Sequence, residues 1–245
     1  ETDISASTIP DLDRRPAAPP ILRTVADDPV GWAAEHRGAL RAAVAEHGAL
    51  LVRGLGLWDR AQVGAVFHRL ADELVTEREA FAPRERHPEG TYSSTAWPAN
   101  QPMCMHHELS YTLDVPGLML FACLTAPPEG GATALADGAT VLEALPAGLV
   151  ERFEREGWLL TRSYNDEIGA SFAEAFGTDD RAAVERYCRA HGIEFAWQPD
   201  GELRTQILRL ADQEHVHVDD VLVADASRRT TTLNAYVSGF GSTRR

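Results

Sequence analysis

No apolar run in this 245-residue sequence approaches the ~18–20 residues needed to cross a bilayer, and no signal-peptide pattern opens it. No membrane association is therefore expected. The chain opens at Glu1 rather than Met, which leaves room for a removed targeting segment. Cysteine is scarce. Cys104, Cys123 and Cys188 are odd in number, widely spaced and form no CxxC. That argues against a disulfide framework or a zinc knuckle and suits a reducing cytoplasm. Positive charge is in deficit, with 23 Lys and Arg against 37 Asp and Glu, a formal net charge of −14. So acidic a surface repels phosphate backbones, and nucleic acid is not an expected partner. It could draw a cationic substrate, although solubility alone accounts for it. Internal repeats and low-complexity segments are absent. The 44 % hydrophobic and 24 % charged residues are ordinary for a globular chain, and one core of moderate size is expected.

Residues 1–29, rich in Pro, Asp and Ala, read as an irregular arm ahead of a single domain over 30–245. Apolar residues recur at helical spacing from Val30 to His47, and Gly48 sits where a helix C-cap belongs. Ala49–Val52 reads as a short buried strand. A second helix is predicted from about Asp59, its cap, to Leu74. Residues 77–104 hold Pro83, Pro88, Pro98 and Pro102 and little periodicity, the pattern of a long loop or lid. Gly117–Cys123 reads as a fully buried strand, broken by Pro127-Pro128-Glu129-Gly130-Gly131. Helices are predicted at about 139–156 and 179–191, with a strand over Trp158–Tyr164 between them. Ile193–Trp197 and Glu202–Ile207, joined through Pro199-Asp200-Gly201, give a hairpin signal. Val221–Ala224 is the last strand. Early helices followed by short strands suggest a β-sandwich or barrel with helices packed outside.

Iron(II) enzymes that activate dioxygen commonly hold the metal with two His and one carboxylate on one face. In Met105-His106-His107-Glu108-Leu109-Ser110-Tyr111, His106 and Glu108 are separated by one residue. On an extended segment both point to the same side, and His107 points the other way, to solvent or behind the ligands. An HxE triplet alone is weak, since a charged pair on a surface turn has the same spelling. Its context is more specific: a Pro-rich loop precedes it, and an aromatic residue and an apolar run follow.

Cys104–Tyr111, Pro116-Gly117-Leu118, Phe121-Ala122-Cys123, Pro127–Thr133 and Ala136-Asp137-Gly138 form an ordered succession of blocks. Arg162-Ser163-Tyr164, Phe176–Asp179 and Trp197–Leu203 continue it. In these blocks the chain resembles the TauD/TfdA-like iron(II)/2-oxoglutarate oxygenases, in the branch of clavaminate synthase-like and SyrP-like enzymes. The resemblance covers most of residues 35–225. It implies a double-stranded β-helix (jelly-roll, cupin-like) core with flanking helices, mostly β in an α+β setting. It also implies iron(II) as cofactor and 2-oxoglutarate as co-substrate, with His106 and Glu108 as metal ligands. Thr133 then matches the hydroxyl residue on the 2-oxoglutarate carboxylate. Arg245, with Arg244 beside it as a competitor, matches the arginine on the distal carboxylate, a role suited to the guanidinium fork. The implied activity is hydroxylation of an unactivated carbon of an amino acid or amino-acid-derived intermediate, free or carrier-tethered, in antibiotic-type natural-product assembly. Arg162 and Tyr164 are candidate substrate contacts or ordinary strand residues. Ser94, with Ser93 and Thr95, is a further candidate in the lid-like loop. Glu108 occupies the position that related halogenases leave to halide, so halogenation is disfavoured.

The pattern departs from the family near its end. Asp225 matches the acidic residue that opens the family's DN-x4-H segment, but Thr231 stands where the second metal histidine belongs, and threonine is a poor iron(II) ligand. The interval from His106 is shorter than in relatives. The shortfall lies between about Gln206 and Glu214, which marks either a pared-down natural variant or, as the preferred reading, residues missing from the sequence there. His215 and His217 are rival ligands, at the wrong end of their strand for the fold. If Thr231 replaces the histidine, a redox-neutral lyase or isomerase, or a non-catalytic binding protein, is the alternative.

Overall fold

The structure is a computed structural model and describes residues 12–80, 84–95, 105–113, 115–165, 170–209 and 223–225. By its internal contacts the chain divides into two compact units, the first drawn from Glu1–Thr76, Glu85–Ser93 and Leu118–Gly138. This unit opens with β1 (Ile21–Arg23), followed by α1 (Pro29–His47), β2 (Leu51–Arg53) and α2 (Arg60–Leu70). Strand β1 lies within the stretch expected to be an irregular arm. It is three residues long, too short for periodicity to reveal, and it pairs in parallel with β2. Parallel neighbours need a crossover of a dozen or more residues, and α1 supplies it. Leu22 is fully buried. Strand β2 was expected to be buried, yet Leu51 and Arg53 are exposed and Val52 only partly covered, because its one paired neighbour among the described residues is β1.

Both helices begin and end as their sequences dictate. The Asp28 carboxylate accepts from the amides of Val30 and Gly31 at 3.1 and 3.0 Å, and Gly48 closes α1 at φ 77°. Asp59 accepts from Gln62 N at 2.8 Å and caps α2, which stops at Leu70 rather than Leu74. Arg37 and Arg41 of α1 donate to the Leu70 carbonyl at 3.3 and 3.2 Å, and Arg37 also pairs with Asp72. Cations on the last carbonyls of a helix complement its dipole and satisfy acceptors that have no intrahelical partner.

Gly54 follows β2 at φ 86°, and a Cβ there would lie 2.2 Å from the Thr24 carbonyl oxygen. Gly54→Ala is therefore expected to destabilise the fold by about 1–3 kcal/mol. Gly38, inside α1 with open space around it, is the control, and its replacement by Ala is expected to stabilise by about 0.5–1 kcal/mol. Thermal melts of the two variants check both signs.

The second unit draws on Glu77–Arg84, Ser94–Gly117 and Ala139–Arg245. Its elements are α3 (Gly138–Glu143, entered from the first unit's last residue), α4 (Ala147–Glu156), β3 (Trp158–Tyr164), α5 (Phe172–Phe176), α6 (Arg181–Ala190), β4 (Glu194–Trp197), β5 (Leu203–Arg209) and β6 (Val223–Asp225). The strands form one sheet in the order β4-β5-β3-β6, antiparallel except for the parallel β3–β6 pair. The β4–β5 hairpin turns at Gly201, φ 93°, where the Gly201 amide donates to Gln198 O at 2.9 Å. Side chains alternate along β5: Leu203, Thr205 and Ile207 point inward, and Leu208 is exposed. The core joins Tyr164, Leu203 and Ile207 of the sheet to Ala175 and Phe176 of α5 and to Val184 and Cys188 of α6. Burial pushes the Cys188 thiol up to about 11, which leaves it an apolar filler. Helix α5 was not anticipated, although Ser171 and Glu174 spell its capping box and exchange the bonds of one.

Two expected elements differ. The single helix over 139–156 is two, α3 and α4, because Pro146 cannot donate within a helix and instead takes the N-cap of α4. Residues 117–123 form no strand, and Phe121 is 67 % exposed. A strand exists only where a neighbour satisfies its backbone groups, and among the described residues none pairs with this run. The described part of 77–104 is irregular, as expected of a loop, apart from an isolated Arg86–Tyr92 bridge. Among the described residues no helix is long and apolar enough to cross a membrane, and Cys123 and Cys188 are both free thiols.

Candidate metal centre

His106 and Glu108 lie in the second unit, on a segment that enters a turn rather than a strand. The turn is pinned by its own backbone. Leu109 sits at φ 53°, and the Leu109 carbonyl accepts from both the amide (3.0 Å) and the hydroxyl (2.9 Å) of Thr112. Leu109, Ser110 and Thr112 are buried, while His106 and His107 stay exposed. Strand alternation is thus not what brings the two candidate ligands together. A turn with an anchored floor does so, and His106 Nε2 faces Glu108 Oε2 at 3.9 Å.

The donor set, one imidazole and one carboxylate, suits iron(II). Two ligands at right angles on one metal, each at about 2.1 Å, stand about 3 Å apart. Closing the observed gap by about an ångström takes a rotation of the His106 side chain, which is 28 % exposed. The pair therefore fits a metal as two of its ligands. Among the described residues no group of three His, Cys, Asp or Glu completes a site. Thr231, His215, His217, Arg244 and Arg245 lie outside the described residues, as does most of the interval 206–214. Asp225 ends β6 in register with Thr161 of β3. Thr133 is exposed and belongs to the first unit.

Two arginines organise the surroundings of the pair. Arg84 reaches Glu108 Oε1 through Nη1 at 2.9 Å, and its Nε donates to Thr95 Oγ1 at 2.9 Å. Glu77 stands close enough for its charge to be felt by both. Burial raises its carboxyl above the usual range and Glu108 adds to the rise, against the attraction of Arg84. Arg162 lies deeper. Its Nη1 donates to the Glu79 carbonyl at 2.9 Å and stands 3.7 Å from the Glu79 carboxylate. Its guanidinium also lies over the rings of Tyr111 and Tyr164, at 4.6 and 4.7 Å. Glu79, 1 % exposed and at φ 57°, receives further bonds from the hydroxyls of Tyr164 (3.4 Å) and Tyr187 (3.3 Å). Burial raises its carboxyl, opposed by Arg162 and the two tyrosines. The Tyr111 hydroxyl is pushed up to about 12 by burial, again against Arg162.

Arg162 and Tyr164, candidates for substrate contact, are thus engaged in a buried polar network that joins β3, α6 and the loop before Arg84. Ser94 is exposed, beside the Thr95 that receives Arg84. Arg84, Glu77 and Glu79 were not singled out from the sequence. Charges in an irregular loop carry no periodic signal, and Glu108 lies 24 residues from Arg84 and Arg162 lies 83 from Glu79.

A His–carboxylate pair of this kind, held by a turn and backed by arginine, defines a candidate mononuclear metal centre. The sequence model of one family, described as taurine catabolism dioxygenase TauD, TfdA family, matches residues 14–241, and the chain belongs to that family. Members of the family depend on iron(II) and 2-oxoglutarate. The chain is also 34 % identical over 172 residues to the dapdiamide synthesis protein DdaC of Enterobacter agglomerans. That match covers 70 % of this chain and 52 % of the relative, so the chain spans about half of the relative's length.

Proposed function

We propose that this chain is an iron(II)- and 2-oxoglutarate-dependent oxygenase that hydroxylates an unactivated carbon of an amino acid or amino-acid-derived intermediate, free or carrier-tethered. The observation that carries the reading is the mutual facing of His106 and Glu108 within a family match that spans 14–241. The similarity to a dapdiamide synthesis protein supports an amino-acid-derived substrate and a place in natural-product assembly. It agrees with the resemblance to the clavaminate synthase-like branch. In this reading the chain holds one oxygenase domain over 30–245 and works in the cytoplasm, and the family match favours a double-stranded β-helix core, to which the four-stranded sheet would contribute.

In this reading His106 and Glu108 would hold the metal, and Thr133 would bind the near carboxylate of 2-oxoglutarate. Arg245 or Arg244 binds the far one. Bound there, iron(II) supplies the oxidation: dioxygen gives one oxygen atom to a substrate C–H and the other to succinate, as 2-oxoglutarate loses carbon dioxide. The chain's own work is orientation. The buried Leu109–Thr112 floor keeps both ligands on one side, and Ser94, Arg162 and Tyr164 are the candidates for guiding the substrate. Glu108 keeps its carboxylate at the position where a halogenase needs space for halide.

Anaerobic titration with iron(II), followed by aerobic incubation with 2-oxoglutarate and a panel of amino acids, tests the proposal. One equivalent of bound iron and succinate release that a chelator abolishes are the expected results. Absence of iron binding, with any turnover indifferent to chelator, would overturn it and favour a redox-neutral enzyme or a binding protein.

A further inference from the structure

We infer that Arg84 is a positioning residue for the metal centre, one that occupies Glu108 Oε1 and leaves Oε2 as the single oxygen offered to the metal. The inference rests on the reading of His106 and Glu108 as ligands. Its basis is the division of labour within one carboxylate. Arg84 Nη1 stands 2.9 Å from Oε1, while His106 Nε2 stands 3.9 Å from the other oxygen, Oε2. A charge-assisted bond at that distance is among the stronger ones a carboxylate makes, and it fixes the rotation of the group as well as its place.

Arg84 is itself held. Its Nε donates to Thr95 Oγ1, so the guanidinium is gripped at a second nitrogen besides the one that meets Glu108. The two side chains are 23 % and 19 % exposed, which protects their attraction from the screening that weakens surface pairs. The cation also attracts two carboxylates that repel one another, Glu77 and Glu108. Without Arg84, Glu108 would be free to turn either oxygen, or both, toward a metal. A carboxylate held to one oxygen takes one coordination position instead of two, and so keeps a position open for co-substrate.

The same contact admits an opposite reading, in which Arg84 merely neutralises Glu108 and competes with metal for it. The two differ in sign. Groups that orient a ligand from behind typically contribute about 10–100-fold in metal affinity. The positioning role therefore predicts that Arg84→Ala weakens binding of manganese(II) or anaerobic iron(II) by about that factor. A competing Arg84 predicts tighter binding once it is removed.

The experiment is titration of the whole chain with manganese(II), read by the electron paramagnetic resonance of free metal, and with cobalt(II), read by its visible bands. Wild type, Arg84→Ala, Arg84→Lys and Thr95→Ala are compared, and thermal melts report whether each is folded. The expected pattern is weaker binding in Arg84→Ala, a changed cobalt(II) spectrum, partial recovery in Arg84→Lys, and a smaller loss in Thr95→Ala, which loosens Arg84 without removing its charge. Affinity that is unchanged or tighter in Arg84→Ala overturns the inference. If Arg84→Ala fails to fold, Thr95→Ala decides alone: an affinity and spectrum equal to wild type overturn it. His106→Ala and Glu108→Ala separate the two levels. Metal binding that survives both removes the ligand reading. Binding that they abolish and Arg84→Ala leaves intact removes only the role of Arg84.

Discussion

Glu108→Ala is expected to reduce iron(II) affinity by more than about 100-fold, since losses of that size already follow from removing groups that merely orient a ligand. His106→Ala should do the same, and 2-oxoglutarate-dependent succinate formation should fall with metal occupancy in both. Glu108→Gln is the sharper variant. It keeps the shape of the side chain and can still accept from Arg84, but it gives up the negative charge that a divalent cation requires. Stability should change far less than binding. The buried floor of the turn is built by Leu109, Ser110 and Thr112, while Glu108 stays part-exposed and His106 exposed. Bound metal per chain, measured with a denaturation midpoint on the same samples, checks the claim. A Glu108→Ala protein that binds iron(II) as tightly as wild type would sink the assignment.

The largest effect on stability is expected from Arg162→Ala. The Arg162 side chain is 10 % exposed and that of Glu79 2 %, so the variant strands a carboxyl in a nearly dry site. Breaking a buried pair by removing one partner typically costs about 3–5 kcal/mol, and the loss of guanidinium packing on Tyr111 and Tyr164 adds to it. The cost should depend on pH. Burial raises the Glu79 carboxyl in the folded chain above its ordinary value of 4.5, so the native state holds that proton to higher pH than the unfolded chain does. Where the unfolded chain binds fewer protons, stability falls with rising pH. The contribution of Glu79 is therefore most favourable below about 4.5 and is lost as pH rises from there through the raised folded value. Arg162 pulls against that rise, so its removal pushes the carboxyl higher and deepens the loss toward neutrality. Denaturant unfolding at pH 4.5 and pH 7.5 should show a larger deficit for Arg162→Ala at the higher pH. Glu79→Gln, with nothing to titrate, should flatten this part of the profile. An Arg162→Ala deficit below about 1 kcal/mol, or equal at the two pH values, would contradict the account.

The network also explains which parts of the site could be read in advance. His106 and Glu108 can be named as a pair because their spacing is local, two positions along one segment. Alternation along a strand does not align them, because Leu109 takes a left-handed conformation and the segment turns. Arg84 precedes Glu108 by 24 residues, and Glu79 meets Arg162 across 83. Nothing in the composition of a charged, Pro-containing loop tells which of its arginines or glutamates will be drawn inward. Arg162 and Tyr164 are candidate substrate contacts or ordinary strand residues as far as the sequence goes. A place on that strand does not reveal that their partners include Glu79 and Tyr111.

The same division runs through the fold. Where a feature is decided by neighbours within a few residues, the amino-acid sequence by itself determined it. Asp28 and Asp59 cap their helices through amides two or three positions on, Gly48 ends α1, and Pro199-Asp200-Gly201 turns the hairpin. The strand predicted over Trp158–Tyr164 matches β3 end to end. Local signals also existed for two features that went unread, Pro146 between α3 and α4 and the Ser171–Glu174 box of α5. Tertiary structure alone decided the rest. An apolar run such as 117–123 becomes a strand only if another segment pairs with it, and β1 exists because β2 does. A turn can present a histidine and a glutamate, but the carboxylate acquires a direction only from an arginine that another loop delivers to it. Backbone torsions and caps act over one helical turn, whereas pairing, burial and charge neutralisation depend on chain segments that only folding brings within a few ångströms.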